Sequence, residues 1–345
     1  MINIGIIGCG YWGVNYIRVF NELMDSQVTK ACDKRVERLD FVRQRYPTVE
    51  VTNDPQDLLG DPEIDAVVVS TPADSHFALA EKSLLKGKHL LVEKPLSITV
   101  EEGEKLVDLA EKTSKVLMVG HTFLYNAGIR KMKECIQAED FGRMYYLHST
   151  RTNLGPIRND VNAIWDLAPH DVSIFDYLLE AQPLWVSAVG SRLLGNSKED
   201  VGFITLAYPG NVIGNIHVSW ADPNKVREVV AVGSRKRIVF DDLNNLERVR
   251  VFEKGVSPST VEADSFGEFR FLVRDGDIIS PKIEPSEPLK NQCSHFLDCV
   301  EKGMCPLTDG QNGLDVVRVM EAVQESLRKR GIPVGIEKAG RGGRR

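Results

Sequence analysis

Short apolar runs alternate with amphipathic stretches from the start of the chain as far as residue 121. Residues 2–7, 28–32, 49–52, 66–69, 90–92 and 116–119 are short runs dominated by apolar side chains. Such runs, with almost no polar alternate position, suit strands covered on both faces. The stretch after Gly13 and those over 36–45, 75–86 and 100–112 read instead as amphipathic helices. Strand and helix in strict succession predict an α/β, doubly wound parallel sheet, a Rossmann domain over residues 1–121.

The rhythm changes from residue 122. A helix over 127–138 and a strand over 144–150 lead into an irregular polar stretch. A helix is expected over 169–179, with Pro169 in its first turn, where the missing N–H costs nothing. Alternating runs follow at 184–192, 203–208, 212–219, 226–232, 237–240 and 248–252. The connections Pro209-Gly210-Asn211 and Gly233-Ser234 favour antiparallel hairpins. An α+β domain over 122–335 with a large, mostly antiparallel sheet is the natural assembly. Residues 254–288, rich in Gly, Pro and Ser, receive no assignment. Helices over 289–302 and 310–329 close the domain, and 336–345 read as a disordered tail.

The first strand–helix junction carries Gly8-Cys9-Gly10-Tyr11-Trp12-Gly13, and the second strand ends on Asp33. In this setting GxGxxG is a dinucleotide fingerprint. The first glycine allows the turn, the second admits the pyrophosphate and the third lets helix and strand pack closely. The helix N-terminus adds unpaired N–H groups and a positive dipole end. A ligand-free tight turn would leave Asp33 unexplained. A carboxylate there accepts hydrogen bonds from ribose hydroxyls and repels a 2′-phosphate, so NAD is favoured over NADP. Lys34 and Arg35 follow at once, and whether they serve the cofactor or a solvated helix start is open.

Ligands on such sheets bind beyond the carboxyl ends of the strands. Those ends carry Gly8–Gly13, Asp33, Ser70-Thr71-Pro72, Glu93-Lys94 and His121, so five motifs converge on one rim. Lys94 follows a buried strand and precedes Pro95, which restricts the turn to extended geometry. An amine there is costly unless it faces a polar pocket; otherwise it is a surface lysine in a βα turn. Asp166 and His170 are four apart, a spacing that lets side chains meet on one helical face. The aspartate would fix the imidazole tautomer and favour its cation. The competing account makes Asp166 a helix cap and His170 a packed core residue, with Asp171 only a first-turn acid.

Composition excludes several function classes. Net charge is −6, and the last eight residues hold four cations, leaving the body near −10. A nucleic-acid partner would need a basic face. No apolar run approaches the length of a membrane span, and the N-terminus reads as a core strand rather than a signal peptide. The six cysteines form no CxxC pair and no metal-ligand spacing with histidine. Reduced thiols in a cytoplasmic protein without a metal centre are expected.

Together Gly8–Gly13, Thr71-Pro72 with His76, Glu93-Lys94-Pro95 and Asp166 with His170 resemble the glucose–fructose oxidoreductase/inositol dehydrogenase (Gfo/Idh/MocA) family. Residues 296–322, with Pro306, Asp309-Gly310 and Gly313, are similar to that family's end. The resemblance implies an NAD-dependent sugar dehydrogenase. Lys94 and His170 would flank the reacting hydroxyl, supported by Asp166, and the antiparallel sheet would carry the substrate face and the interface of a homodimer or homotetramer. It places Tyr11, Trp12, Thr71 and His76 with the cofactor, and Glu93 and His121 near the nicotinamide. Two positions depart from many members: Ala168 stands where they have glycine, and Ser173 where they have an acid.

The segment from Arg151 to Asn162 also supplies Asn153 and Arg158. Arginine forks suit phosphate or carboxylate, so a nucleotide sugar is a candidate partner, against the bland account of a solvated loop. The stretch looks like family members that oxidise UDP-N-acetylglucosamine at its 3-hydroxyl. Open alternatives are a free sugar or inositol as substrate, the NAD-assisted glycosidases of the same family, and an NAD-binding regulator without catalysis.

Overall fold

The computed structural model describes residues 1–337 apart from 156, 158–160, 196 and 259–270. Contacts divide the chain into two units. The first takes in Met1–Asn126 with Ser286–Glu321, and the second Ala127–Pro285 with the residues from Ala322 onward.

In the first unit the strands are β1 (Ile2–Ile7), β2 (Ser26–Cys32), β3 (Glu50–Thr52), β4 (Ala66–Val69), β5 (His89–Val92) and β6 (Leu117–Val119). Their order is β3-β2-β1-β4-β5-β6, with every pair parallel. This is the doubly wound order, whose switch point lies between β1 and β4. Helices α1 (Tyr11–Glu22), α2 (Val36–Arg45), α3 (Pro55–Leu59), α4 (His76–Leu85) and α5 (Val100–Thr113) make the crossovers. Strand residues Val67, Val69, Leu90, Val92 and Val119 pack with Leu84, Leu106 and Val317 in one buried cluster. The alternate residues Ala66, Val68, Leu91 and Met118 are fully buried as well, and that two-sided burial explains why these strands carry almost no polar positions.

The second unit contains α6 (Ala127–Gln137), β7 (Met144–Thr152), α7 (Ala163–Leu179), β8 (Trp185–Ser191), β9 (Val201–Tyr208), β10 (Val212–Ser219), β11 (Val226–Gly233), β12 (Arg237–Asp241) and β13 (Val249–Phe252). Next come β14 (Gly255–Pro258), β15 (Phe271–Arg274) and β16 (Ile278–Ile279). After α8 (Pro288–Lys302) and α9 (Gly310–Arg328), the short β17 (Val334–Gly335) completes the order β16-β13-β12-β11-β7-β10-β9-β8-β17. All neighbours are antiparallel except β7 with β10. The β9–β10 turn uses Gly210 and Asn211, both at positive φ, as a tight hairpin requires.

Three expectations need correction. The closing helices do not belong wholly to the second domain, because 286–321 groups with the first unit. Thr308 explains why: its carbonyl accepts the Val119 N–H at 2.8 Å and its hydroxyl donates to the Val119 carbonyl at 2.7 Å. The segment thus extends the β6 edge, with Gly310 and Gly313 leaving no room for a Cβ against Leu117 and Val119. Secondly, α7 begins at Ala163, so Pro169 lies inside the helix rather than in its first turn. Asn162 caps it, its Oδ1 accepting the Trp165 N–H at 2.8 Å, so the helix starts about a turn and a half before Pro169 and tolerates the hydrogen bond that the proline removes. Thirdly, Ile336 donates its N–H to the Leu184 carbonyl at 3.0 Å, beyond the expected end at 335. The tail from 338 lies outside the described residues.

Candidate active site

Local chemistry builds the dinucleotide cradle. Gly8 sits at φ +97°, and a Cβ there would meet the Ser70 carbonyl oxygen at 2.7 Å. A Cβ on Gly13 would fall 1.8 Å from the Gly8 carbonyl oxygen, while at Gly10 the nearest atom is an Arg35 nitrogen at 3.9 Å. So Gly8 turns the chain, Gly13 packs α1 onto it, and Gly10 leaves open approach above the turn. Ser70 donates its hydroxyl to the Gly8 carbonyl at 2.8 Å and braces the loop from β4. Tyr11 and Trp12 are exposed on the rim, edge to face at 5.5 Å.

Asp33 is buried at the end of β2 and accepts the Cys9 N–H at 2.8 Å and the Arg35 N–H at 2.9 Å. The Arg35 guanidinium spans both carboxylate oxygens at 3.2 Å. Burial pushes the carboxyl up, but these hydrogen bonds outweigh it and hold Asp33 below the usual carboxylate range. Arg35 is therefore neither merely solvated nor committed to a ligand: it partners Asp33. Lys34 is exposed.

His76 differs from its expected role. It is 1% exposed, with Nδ1 2.7 Å from the Pro95 carbonyl and Nε2 2.9 Å from the Thr71 carbonyl. The ring ties the β4 and β5 loops together instead of presenting a nitrogen to a cofactor. Thr71 is half-buried and takes the Ser75 hydroxyl at 2.7 Å, and Pro72 is exposed.

At the end of β5, Glu93 is buried and Lys94 half-buried, joined to Pro95 by a cis peptide. His121, past β6, is 1% exposed, and neither ring nitrogen has a hydrogen-bond partner among the described residues. Burial, reinforced by the Lys94 charge, pushes His121 down to about 3, so the ring is neutral. A buried orphan imidazole is costly unless a ligand completes it. The glycine cradle and His121 together fit a dinucleotide spanning β1 to β6: Gly8–Gly13 would hold the pyrophosphate, Asp33 the ribose and His121 the carboxamide end.

In the second unit, Asp166 lies in the first turn of α7 and His170 one turn on, both half-buried. The Ser173 hydroxyl donates to the His170 carbonyl at 2.8 Å. Arg151 overturns its expected part. It is buried in β7, and its fork closes on Asp171 at 2.8 Å and 2.9 Å. Burial opposes its charge, but Asp171 more than compensates, with Asp242 and Asp166 adding attraction. A fork closed on a buried carboxylate is not available to a diphosphate. Asp171 is correspondingly no surface first-turn acid. Asn162 is likewise committed, capping α7 and donating to Glu199 at 3.0 Å. Asn153 is half-buried beside the end of β7, and Arg158 lies outside the described residues.

A cradle for a dinucleotide that keeps an amine and a neutral imidazole at the same sheet edge is the equipment of a redox enzyme. The sequence profile of the Gfo/Idh/MocA oxidoreductase family with NAD-binding Rossmann fold matches residues 2–121, and that of the family's C-terminal domain matches 129–239. The chain belongs to the Gfo/Idh/MocA family of oxidoreductases. It is 24% identical over 340 residues to a myo-inositol 2-dehydrogenase from Thermotoga maritima, covering 95% of this chain and 97% of the relative. It is 27% identical over 259 residues to a UDP-N-acetylglucosamine 3-dehydrogenase from Acidithiobacillus ferrooxidans, covering 73% and 77%. In fold it is similar to the WlbA dehydrogenase from Bordetella pertussis in complex with NADH and UDP-GlcNAcA, with TM-score 0.80 and 21% identity over 98% of this chain and 99% of that one. No helix among the described residues is long and apolar enough to cross a membrane.

Proposed function

We propose that this protein is an NAD-dependent dehydrogenase that oxidises a secondary hydroxyl of a sugar, with UDP-N-acetylglucosamine, at C3, as its substrate. The observation that carries the dehydrogenase is the single rim of β1, β2, β4, β5 and β6, which presents the glycine cradle, Asp33, Lys94 and a buried, neutral His121. Bound NAD would supply the hydride acceptor at its nicotinamide ring. Lys94 polarises the substrate oxygen and stabilises the charge that develops on it. His170 takes the hydroxyl proton, its tautomer set by Asp166 one turn before. Lys94 belongs to the first unit and His170 to the second, and their partnership in one reaction rests on the family motif set. The open face of the nine-stranded sheet, with Phe203 stacked on His217 at 4.4 Å, is the surface through which a homodimer or homotetramer would form.

NADH should bind at least about tenfold more tightly than NADPH, because setting a 2′-phosphate against the Asp33 carboxylate costs more than ~1.4 kcal/mol. Fluorescence titration with the two coenzymes measures this. Tighter NADPH binding would hand Arg35 to the 2′-phosphate and end the NAD assignment.

The nucleotide-sugar reading draws on the relative that is a UDP-N-acetylglucosamine 3-dehydrogenase. A second reading, a free sugar or inositol, is favoured by the closed Arg151–Asp171 fork, which removes one expected diphosphate ligand. Absorbance at 340 nm with NAD and UDP-N-acetylglucosamine, UDP-glucose, glucose or myo-inositol separates them. The expected result is stoichiometric NADH with UDP-N-acetylglucosamine. Activity confined to the free polyols would transfer the assignment to the second reading, and glycoside cleavage without net NADH would replace both.

A further inference from the structure

A hydrogen-bond chain that no local motif announces runs through the interior of the first unit. The Thr122 hydroxyl donates to Gln292 Oε1 at 2.7 Å, and Gln292 Nε2 donates to the Tyr16 oxygen at 2.9 Å. The Tyr16 hydroxyl then donates to Glu93 Oε1 at 2.7 Å, while the Lys94 N–H donates to Glu93 Oε2 at 3.2 Å. Tyr16 and Gln292 are fully buried, and Glu93 is 7% exposed. The donors run in one direction. The Gln292 amide occupies the phenol oxygen, so the phenol hydrogen is left for Glu93, and both carboxylate oxygens receive a donor. That pattern suits an anion.

We propose that Thr122, Gln292 and Tyr16 form a positioning relay through which α8 holds the Glu93 carboxylate against the backbone of Lys94 and so fixes the direction and charge of the Lys94 turn. The proposal rests on the catalytic reading of Lys94. Placing a carboxylate here is expensive, and a merely structural contact between α1, α8 and β5 would be cheaper with apolar side chains. Burial does push the Glu93 carboxyl up, while the Tyr16 hydrogen bond and the Lys94 charge pull it back. Titratable groups lie on several of the elements near the carboxylate. Tyr16 of α1 and Cys293 of α8 are held neutral by burial, as are His121 beyond β6 and His76 of α4, which also feel the Lys94 charge. Among the described residues, Lys94 is the cation whose charge favours the Glu93 anion. Gly120 completes the pocket, since a Cβ there would sit 3.1 Å from Glu93 Oε1.

The test uses the full chain with Tyr16→Phe, Glu93→Gln and Lys94→Ala, each first titrated with NADH to show that the cradle is intact. Lys94 reactivity is read independently of turnover, by acetic anhydride labelling at pH 8.5 and peptide mass spectrometry. Glu93→Gln should speed labelling about tenfold, because losing an adjacent anion favours the neutral amine. Tyr16→Phe, which keeps the ring and removes one donor, should move the acid limb of the kcat–pH profile to higher pH. The sign follows because the lost hydrogen bond favoured the ionised carboxyl, which must now be reached at higher pH. Unchanged labelling in Glu93→Gln together with an unchanged profile in Tyr16→Phe overturns the relay. Normal turnover in Lys94→Ala overturns the catalytic reading of Lys94, a different failure that the labelling result does not share. Should Glu93→Gln lose NADH binding, the Tyr16→Phe profile decides alone.

Discussion

Replacing Lys94 with alanine is expected to lower kcat about 10²–10³-fold, the usual loss when one preorganised charge or donor leaves a developing oxyanion. Its ammonium is needed more in the transition state than in the ground state, so kcat falls further than KM rises. His170→Ala should cost about 10²–10⁴-fold, the range for a general base. Both are read at 340 nm with the sugar that scores in the substrate panel. NADH titration of each variant separates lost chemistry from lost cofactor. Near-normal turnover in both variants would remove the mechanism while leaving the Rossmann cradle untouched.

Asp171→Ala is expected to destabilise the second unit by about 3–5 kcal/mol, because it strands the Arg151 guanidinium in the interior without its partner. The pair joins β7 to α7 at the residue after His170, with Arg151 Nε and Nη2 at 2.8 Å and 2.9 Å from the Asp171 oxygens. Changing both residues to apolar ones, Arg151→Met with Asp171→Leu, should recover most of the loss, since a buried pair gains little over well-packed hydrocarbon. Urea unfolding of the two single variants and the double variant makes the comparison. If Arg151→Met instead leaves stability intact and weakens binding of the UDP-sugar, Arg151 returns to the substrate and the structural account of the pair fails.

Legibility in the sequence followed the range of the interaction. The glycine turn, the acid ending β2 and the lysine after β5 each sit within a few residues of a strong periodic signal, and their setting could be read directly. Pro169 misled for a local reason: a proline suits a first helical turn, but the cap at Asn162, four residues before the alternative cap Asp166, governs where α7 begins. Arg151 and Asn162 misled for a tertiary one. Both are residue types that bind ligands, and only the packing of β7 against α7, and of the α7 cap against Glu199, shows that their donors are already engaged.

The sequence by itself determined the alternation of the first unit's sheet strands and their crossover helices, the parallel Rossmann sheet, the mostly antiparallel second sheet and the rim that carries the glycine turn, Asp33 and Lys94, but not α3, β17 or the strands between 254 and 288. Those features follow from periods of two and 3.6 residues and from glycines whose φ or close packing admits no side chain. Tertiary structure alone decided which polar groups meet. Tyr16 reaches Glu93 across 77 positions and Gln292 across 276. Arg151 closes on Asp171 across 20, and the segment 306–313 joins the β6 edge instead of the second sheet. A buried polar atom must find its partner wherever the chain brings one, and no periodicity along the sequence encodes that distance.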